Sequence, residues 1–218
     1  MAKPYRPKDH YFQKAKAEGF RARSAFKLEE LTKRFQLVRQ GARVLDLGAA
    51  PGGFLQVIAQ AVGPTGLALG VDVVPLRPFK EAWVRTAVLD VLAPDALSAL
   101  RQLAGGPLDA VLSDLAPKTS GIRTTDEARS LRLAERALEV STTLGREGSS
   151  FVVKLFMGGD FETFRGELRS RYREVKVVRP EATRSASVEV YLVGLRLIPA
   201  LDSGGHLQPG GPKLPHLD

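Results

Sequence analysis

The sequence predicts an α/β fold: a seven-stranded, mainly parallel sheet with helices on both faces and one antiparallel strand. Three observations predict it. β-like runs alternate with helical patterns along most of the chain, and such crossovers place successive strands parallel. A glycine-rich turn joins the first β-like run to a helix. The last two runs are joined by Arg179–Ser187, which leaves no room for a helix, so they pair as a hairpin and one strand runs against the rest.

The elements follow in order. Residues 24–36 form a helix, with Ser24 able to cap it and Phe26, Leu28, Leu31 and Phe35 marking an apolar side. Gly41 precedes the first β-like run, Arg43-Val44-Leu45-Asp46-Leu47. The turn Gly48-Ala49-Ala50-Pro51-Gly52-Gly53 leads to a helix over 54–62. Further β-like runs are Leu67–Val73, Trp83–Leu89, Ala110–Ser113, Ser150–Phe156, Val175–Val178 and Val188–Leu197. Helical patterns lie near 95–104, 125–144 and 160–172. The chain divides into a basic extension with the first helix (1–39), one α/β domain (40–198) and a Gly/Pro-rich segment (199–218) expected to be a flexible tail.

Composition narrows the chemistry. The chain has 218 residues, no Cys and three His, His10, His206 and His216. Disulfides, thiolate nucleophiles and cysteine-held metals are thereby excluded, and a histidine-built metal site or a Ser-His-Asp hydrolase is disfavoured. No apolar stretch reaches membrane-spanning length, and the first residues mix Lys, Arg and aromatics, so a cytoplasmic protein is expected. The net charge is +8, and residues 1–39 hold eleven Lys/Arg against four Asp/Glu. Tyr5, Tyr11, Phe12, Phe20 and Phe26 are interleaved there. A basic, aromatic-bearing segment on a nearly neutral body suits a polyanion such as RNA. Lys8, Lys14, Lys16, Arg21 and Arg23 are the candidate phosphate contacts.

The turn lies at the carboxyl end of the first strand, where open parallel sheets bind ligands. Gly48 and its small neighbours let a ligand approach the backbone closely. Asp72 ends the second strand, where an acid can take two ribose hydroxyls, and Asp90 follows the third, near an adenine edge. A nucleoside cofactor follows. In a G-x-G-x-x-G dinucleotide fingerprint the second glycine would stand where this chain has Ala50, and Pro51 has no N–H to donate to a pyrophosphate. S-adenosylmethionine has no phosphate to cradle and fits better.

Four charged residues sit where burial would be costly. Lys27 lies beside Phe26 and Leu28, Asp114 ends the fourth strand, Lys154 interrupts Phe151–Phe156, and Glu189 interrupts Val188–Val193. Such residues are rarely buried without partners, and two positive with two negative charges point to an assembled site.

Arg21-Ala22-Arg23-Ser24-Ala25-Phe26-Lys27-Leu28, Asp46 to Phe54, Ser113-Asp114-Leu115-Ala116-Pro117, Phe151-Val152-Val153-Lys154, and Arg179-Pro180 through Arg184 to Ser187, Glu189 and Tyr191 together resemble the FtsJ ribose 2′-O-methyltransferases, from about residue 8 to 198. The resemblance implies an S-adenosylmethionine-dependent methyltransferase of Rossmann-like fold, acting as a monomer on a uridine of large-subunit (23S) ribosomal RNA, either free or within the subunit. It implies a catalytic tetrad of Lys27, Asp114, Lys154 and Glu189, with no metal. It implies cofactor contacts at Gly52, Gly53, Phe54, Asp72, Asp90 and Asp114. Phe54 stands where well-known bacterial members carry Trp, and Val188 where a polar residue is frequent.

On this reading Lys154 is the base. Its ordinary pKa is about 10.4, so a neighbouring Lys27 and partial desolvation would favour the neutral amine, while Asp114 would orient it. Glu189 would hold Lys27 or the ribose. The rival readings are a nicotinamide-dependent oxidoreductase, which leaves Lys154 and Glu189 idle, a non-enzymatic RNA-binding relict, and a methyltransferase for transfer RNA or an RNA cap.

Overall fold

A computed structural model of the chain describes residues 10–183 and 187–199. Lys8, Arg184, His206, His216 and the expected tail beyond Pro199 lie outside the described residues.

Among the described residues, seven strands form one sheet: β1 (Arg43–Leu47), β2 (Leu67–Asp72), β3 (Val84–Val88), β4 (Leu108–Ser113), β5 (Gly145–Phe156), β6 (Tyr172–Val178) and β7 (Glu189–Leu197). Their order across the sheet is β3-β2-β1-β4-β5-β7-β6. β1 to β5 pair in parallel, and β7 is antiparallel to both β5 and β6. The order reverses at β1, whose two neighbours are β2 and β4, so the carboxyl ends of β1 and β4 flank a crevice.

Among the described residues, six helices surround the sheet: α1 (His10–Ala17), α2 (Ser24–Phe35), α3 (Gly53–Val62), α4 (Ala96–Ala104), α5 (Arg123–Leu144) and α6 (Phe161–Arg171). Side chains alternate across each strand, and the sheet therefore carries two cores. Leu45, Leu47, Val111, Phe151, Val153 and Leu192 pack against Leu100 of α4, Leu138 of α5 and Leu168 of α6. Val44, Ala110, Leu112, Val152, Tyr191 and Val193 pack against Leu28 and Leu31 of α2 and Leu55 and Ile58 of α3. Fully burying one such aliphatic or aromatic side chain contributes about 1.5–3 kcal/mol.

Three local differences from the sequence reading have physical causes. α1 is an additional helix, held where Ala15 meets Phe26 and Ala182 and where Tyr11 packs on Phe26. Ser24 is the first helical residue and does not cap α2; the preceding Arg23 occupies the cap position with no side-chain cap bond. The Ser24 hydroxyl is instead pressed against Gly53, where an added Cβ would lie 2.9 Å from it. β5 begins at Gly145, five residues before the apolar run, because the backbone of a polar segment pairs with β4 there.

Candidate active site

Strand pleat and register decide which charges meet. Glu189 and Tyr191 are two residues apart on β7 and share the face that α2 covers. Lys154 is paired directly with Tyr191 across the β5–β7 ladder, so its side chain lies on the same face. Asp114 immediately follows β4, with its N–H bonded to the Leu47 carbonyl at 3.0 Å. Lys27 reaches the group from α2, in a turn where Phe26 and Leu28 are buried.

These side chains form one connected array. Lys27 Nζ is ion-paired with Glu189 Oε1 and lies 3.4 Å from Tyr191 Oη. Tyr191 Oη donates to Asp114 Oδ1 at 2.6 Å. Lys154 Nζ sits 3.0 Å from the same Oδ1 and donates to the Asp114 carbonyl at 2.8 Å. Lys27 and Lys154 are 5% and 9% exposed, so both ammonium groups are withdrawn from bulk water and compensated by carboxylates. The structure thus brings together all four residues singled out as out of place in apolar surroundings. Glu189 is engaged with Lys27, one of the two partners expected for it.

Two further groups shape the electrostatics. Burial pushes the Tyr191 hydroxyl well above its ordinary value, and the Asp114 charge and its hydrogen bond add to that, so Tyr191 stays a protonated donor. Asp46 is fully buried and feels the charge of Asp114, and neither of its carboxylate oxygens has a hydrogen-bond partner among the described residues. Burial first, then the charges of Asp114 and Asp72, raise it well above the usual carboxylate range. Neither residue was assigned a role from the sequence. Asp46 carries the signal that found Lys154, a charge inside an apolar strand. Tyr191 carries a weaker one, its place two residues along from Glu189.

Beside the array, a cavity of about 260 Å³ opens between the ends of β1, β2 and β4. Gly48, Asp72, Asp90 and Asp114 line it with Leu89, Leu115 and other apolar residues, and no Lys or Arg does. Gly48 has φ +80°, and a Cβ there would lie 2.9 Å from the Leu115 backbone nitrogen, so the turn closes only with glycine. Asp72 accepts from the N–H groups of Ala50 at 2.9 Å and Val74 at 3.0 Å. A carboxylate has about four lone-pair sites, so Asp72 keeps capacity for hydroxyl donors. Asp90 accepts from the Leu92 N–H at 2.9 Å. Asp72 and Asp90, with Asp114 shared between the cavity and Lys154 and no Lys or Arg in the lining, suit a cationic, phosphate-free nucleoside and repel a pyrophosphate. The residues present therefore fit S-adenosylmethionine.

The other predicted cofactor residues stand just outside this cavity. Gly52, with φ +115°, is covered by Arg21, whose Cδ would be 2.8 Å from an added Cβ. Gly53 is packed against Ala22 and Ser24. Phe54 is buried and stacks on Tyr191 with ring centroids 6.5 Å apart.

The predicted RNA contacts diverge. Arg21 donates to the carbonyls of Arg77 (2.6 Å) and Pro78 (2.7 Å) and lies 3.7 Å over the Phe79 ring, which occupies its guanidinium. Lys14 lies 4.6 Å over Phe26 and 3.9 Å from Glu18. Lys16 is exposed on α1, and Arg23 stands one helical turn before Lys27.

Residues 20–197 match the model of the FtsJ-like methyltransferase family. The chain is 68% identical over 196 residues to the ribosomal RNA large subunit methyltransferase E of Myxococcus xanthus (strain DK1622), covering 90% of this chain and 92% of that one. It is 55% identical over 194 residues to the protein of the same name from Anaeromyxobacter sp. (strain Fw109-5), covering 89% and 70%. Among solved structures, a Plasmodium falciparum protein described as a ribosomal RNA methyltransferase superposes with a TM-score of 0.68 at 21% identity, covering 82% of this chain and 98% of that one. At that identity the likeness speaks for the fold.

Proposed function

The chain belongs to the FtsJ-like methyltransferase family, and from that premise we propose that it methylates the 2′-hydroxyl of a uridine ribose in large-subunit (23S) ribosomal RNA, using S-adenosylmethionine. The observation that carries this reading is the array Glu189–Lys27–Tyr191–Asp114–Lys154 set against a cavity lined by carboxylates. The names borne by its relatives support ribosomal RNA as the substrate class, and a cytoplasmic place of work is part of the proposal.

Asp72 would hold the cofactor's ribose hydroxyls, Asp90 its adenine edge, and the Gly48 turn its backbone-facing side, with Gly52, Gly53 and Phe54 shaping that turn. Asp114 belongs to both the cavity and the array, so it stands where cofactor and ribose meet. When bound, S-adenosylmethionine supplies an activated methyl group and its own leaving group. The protein's part is alignment and removal of the hydroxyl proton.

Lys154 Nζ takes the proton from the ribose 2′-oxygen. Asp114 fixes the direction of that nitrogen through both its carboxylate and its carbonyl. Lys27, anchored by Glu189, steadies the ribose from the opposite side. Tyr191 remains protonated and holds Asp114 and Lys27 in one geometry. Burial of the array keeps competing water from the attacking oxygen.

The nicotinamide reading meets no cation in the cavity for a pyrophosphate and gives the two lysines no work. Transfer of a labelled methyl group to total RNA and to isolated large ribosomal subunits, followed by mapping, tests the proposal. A 2′-O-methyluridine in 23S RNA is expected. Labelling confined to transfer RNA or capped RNA, or none at all, overturns it.

A further inference from the structure

A second, larger cavity lies on the far side of the Gly52 turn. It encloses about 460 Å³, within the range of about 300–1,000 Å³ usual for small-molecule sites. α1 walls it with Phe12, Ala15 and Lys16, the turn before α2 with Phe20, Arg21 and Arg23, and the β2–β3 loop with Arg77 and Pro78. No Asp or Glu lines it. The two cavities are thus sorted by charge, one acidic and one basic, with Gly52 and Arg21 between them.

The parts of the basic cavity divide into wall and contact. Arg21 is wall, since its guanidinium is spent on the Arg77 and Pro78 carbonyls. Gln56 completes that wall by accepting from the Arg21 N–H at 2.6 Å and donating to the Gly19 carbonyl at 3.1 Å. Tyr11 and Phe20 pack on Phe26. Phe12 has no ring partner among the described residues and is 63% exposed. Lys16 on α1 and Arg77 on the β2–β3 loop are exposed cations that line the cavity from different elements, with no ion pair among the described residues. An exposed ring with two flanking cations is the combination that stacks a base and neutralises its phosphate.

Position supplies the last step. Arg23, on the cavity wall, precedes Lys27 by one helical turn, about 5.4 Å. A strand whose target ribose lies at Lys27 therefore brings a neighbouring nucleotide over this cavity. We propose that the basic cavity is a subsite for a nucleotide flanking the methylated one, its base against Phe12 and its phosphate between Lys16 and Arg77. This rests on the RNA methyltransferase reading and adds where the substrate strand runs.

A single-stranded oligouridylate carrying one 2-aminopurine tests it with the full-length protein. Stacking on Phe12 quenches the probe. Phe12→Ala is expected to abolish the quenching and weaken binding about tenfold. Lys16→Ala and Arg77→Ala should each lower the slope of log affinity against log salt by about 0.7. All three are surface positions, and S-adenosylmethionine affinity should stay unchanged, which reports folding. Undiminished quenching and affinity in Phe12→Ala overturn the subsite, even where ribosomal RNA is methylated normally. Failure of the unaltered protein to methylate any RNA overturns the function instead, and the two failures are read in separate assays.

Discussion

Tyr191 Oη donates to Asp114 Oδ1 at 2.6 Å, the same oxygen that lies 3.0 Å from Lys154 Nζ. One carboxylate oxygen therefore gathers a neutral donor from β7 and a charged one from β5, and Lys27 joins through the tyrosine oxygen at 3.4 Å. Tyr191→Phe keeps the ring against Phe54 and removes only the hydroxyl. Hydrogen bonds to charged groups contribute about 1.5–3 kcal/mol, so the turnover number should fall about ten- to a hundredfold. Cofactor affinity should stay within a few-fold by calorimetry. Unaltered turnover would remove Tyr191 from the array.

Asp72→Ala acts on the other cavity. It deletes the acceptor for the Ala50 and Val74 N–H groups and so loosens the turn proposed to face the cofactor. S-adenosylmethionine affinity should drop at least about tenfold, since each such bond to a charged group is worth about 1.5–3 kcal/mol. An unchanged dissociation constant would remove Asp72 from the ribose contact.

Asp46 predicts a pH dependence. Its folded value is raised, so the folded chain keeps a proton that the unfolded chain has released. Stability should decline as pH rises from the ordinary carboxylate range, about 4, towards the raised folded value, by up to about 1.4 kcal/mol per pH unit. Asp46→Asn carries no titrating group there and should flatten that decline in denaturant melts of the cofactor-free protein. An identical slope in both proteins would show that Asp46 is not held protonated.

Gly48→Ala tests the close approach of the turn to the segment after β4. With φ +80° and a Cβ 2.9 Å from the Leu115 nitrogen, the substitution should cost roughly 1–3 kcal/mol of stability and impair cofactor binding. A variant as stable as the parent, with unaltered affinity, would mean that the turn has room to spare.

How much of this was legible in the sequence follows from what each residue costs. Lys154 and Glu189 stood out because a charge in an apolar strand needs a partner, and β1 and β2 were legible as β-like runs that are apolar apart from Asp46 and the terminal Arg43 and Asp72. β7 was found with its direction, because Arg179–Ser187 cannot hold a crossover helix. Tyr191 escaped because tyrosine is ordinary in strands, and only the pairing with Lys154 reveals what its hydroxyl meets. Gly52 looked like part of a cofactor cradle. Its lack of a side chain also makes room for Arg21, thirty-one residues away in the chain, a contact that no local pattern records. The partners of Arg21 were hidden for the same reason: a surface arginine in a basic segment reads as a phosphate contact until the carbonyls of the β2–β3 loop are placed beside it.

The central claim is that Lys154 Nζ, aimed by Asp114, removes the ribose proton. Single-turnover transfer of labelled methyl to large-subunit ribosomal RNA, comparing the parent with Lys154→Ala, tests it most directly. General-base catalysis is worth about 10²–10⁴-fold, so the variant should lose at least about a hundredfold in rate while binding S-adenosylmethionine within a few-fold of the parent. A variant that transfers methyl at close to the parental rate would contradict the account.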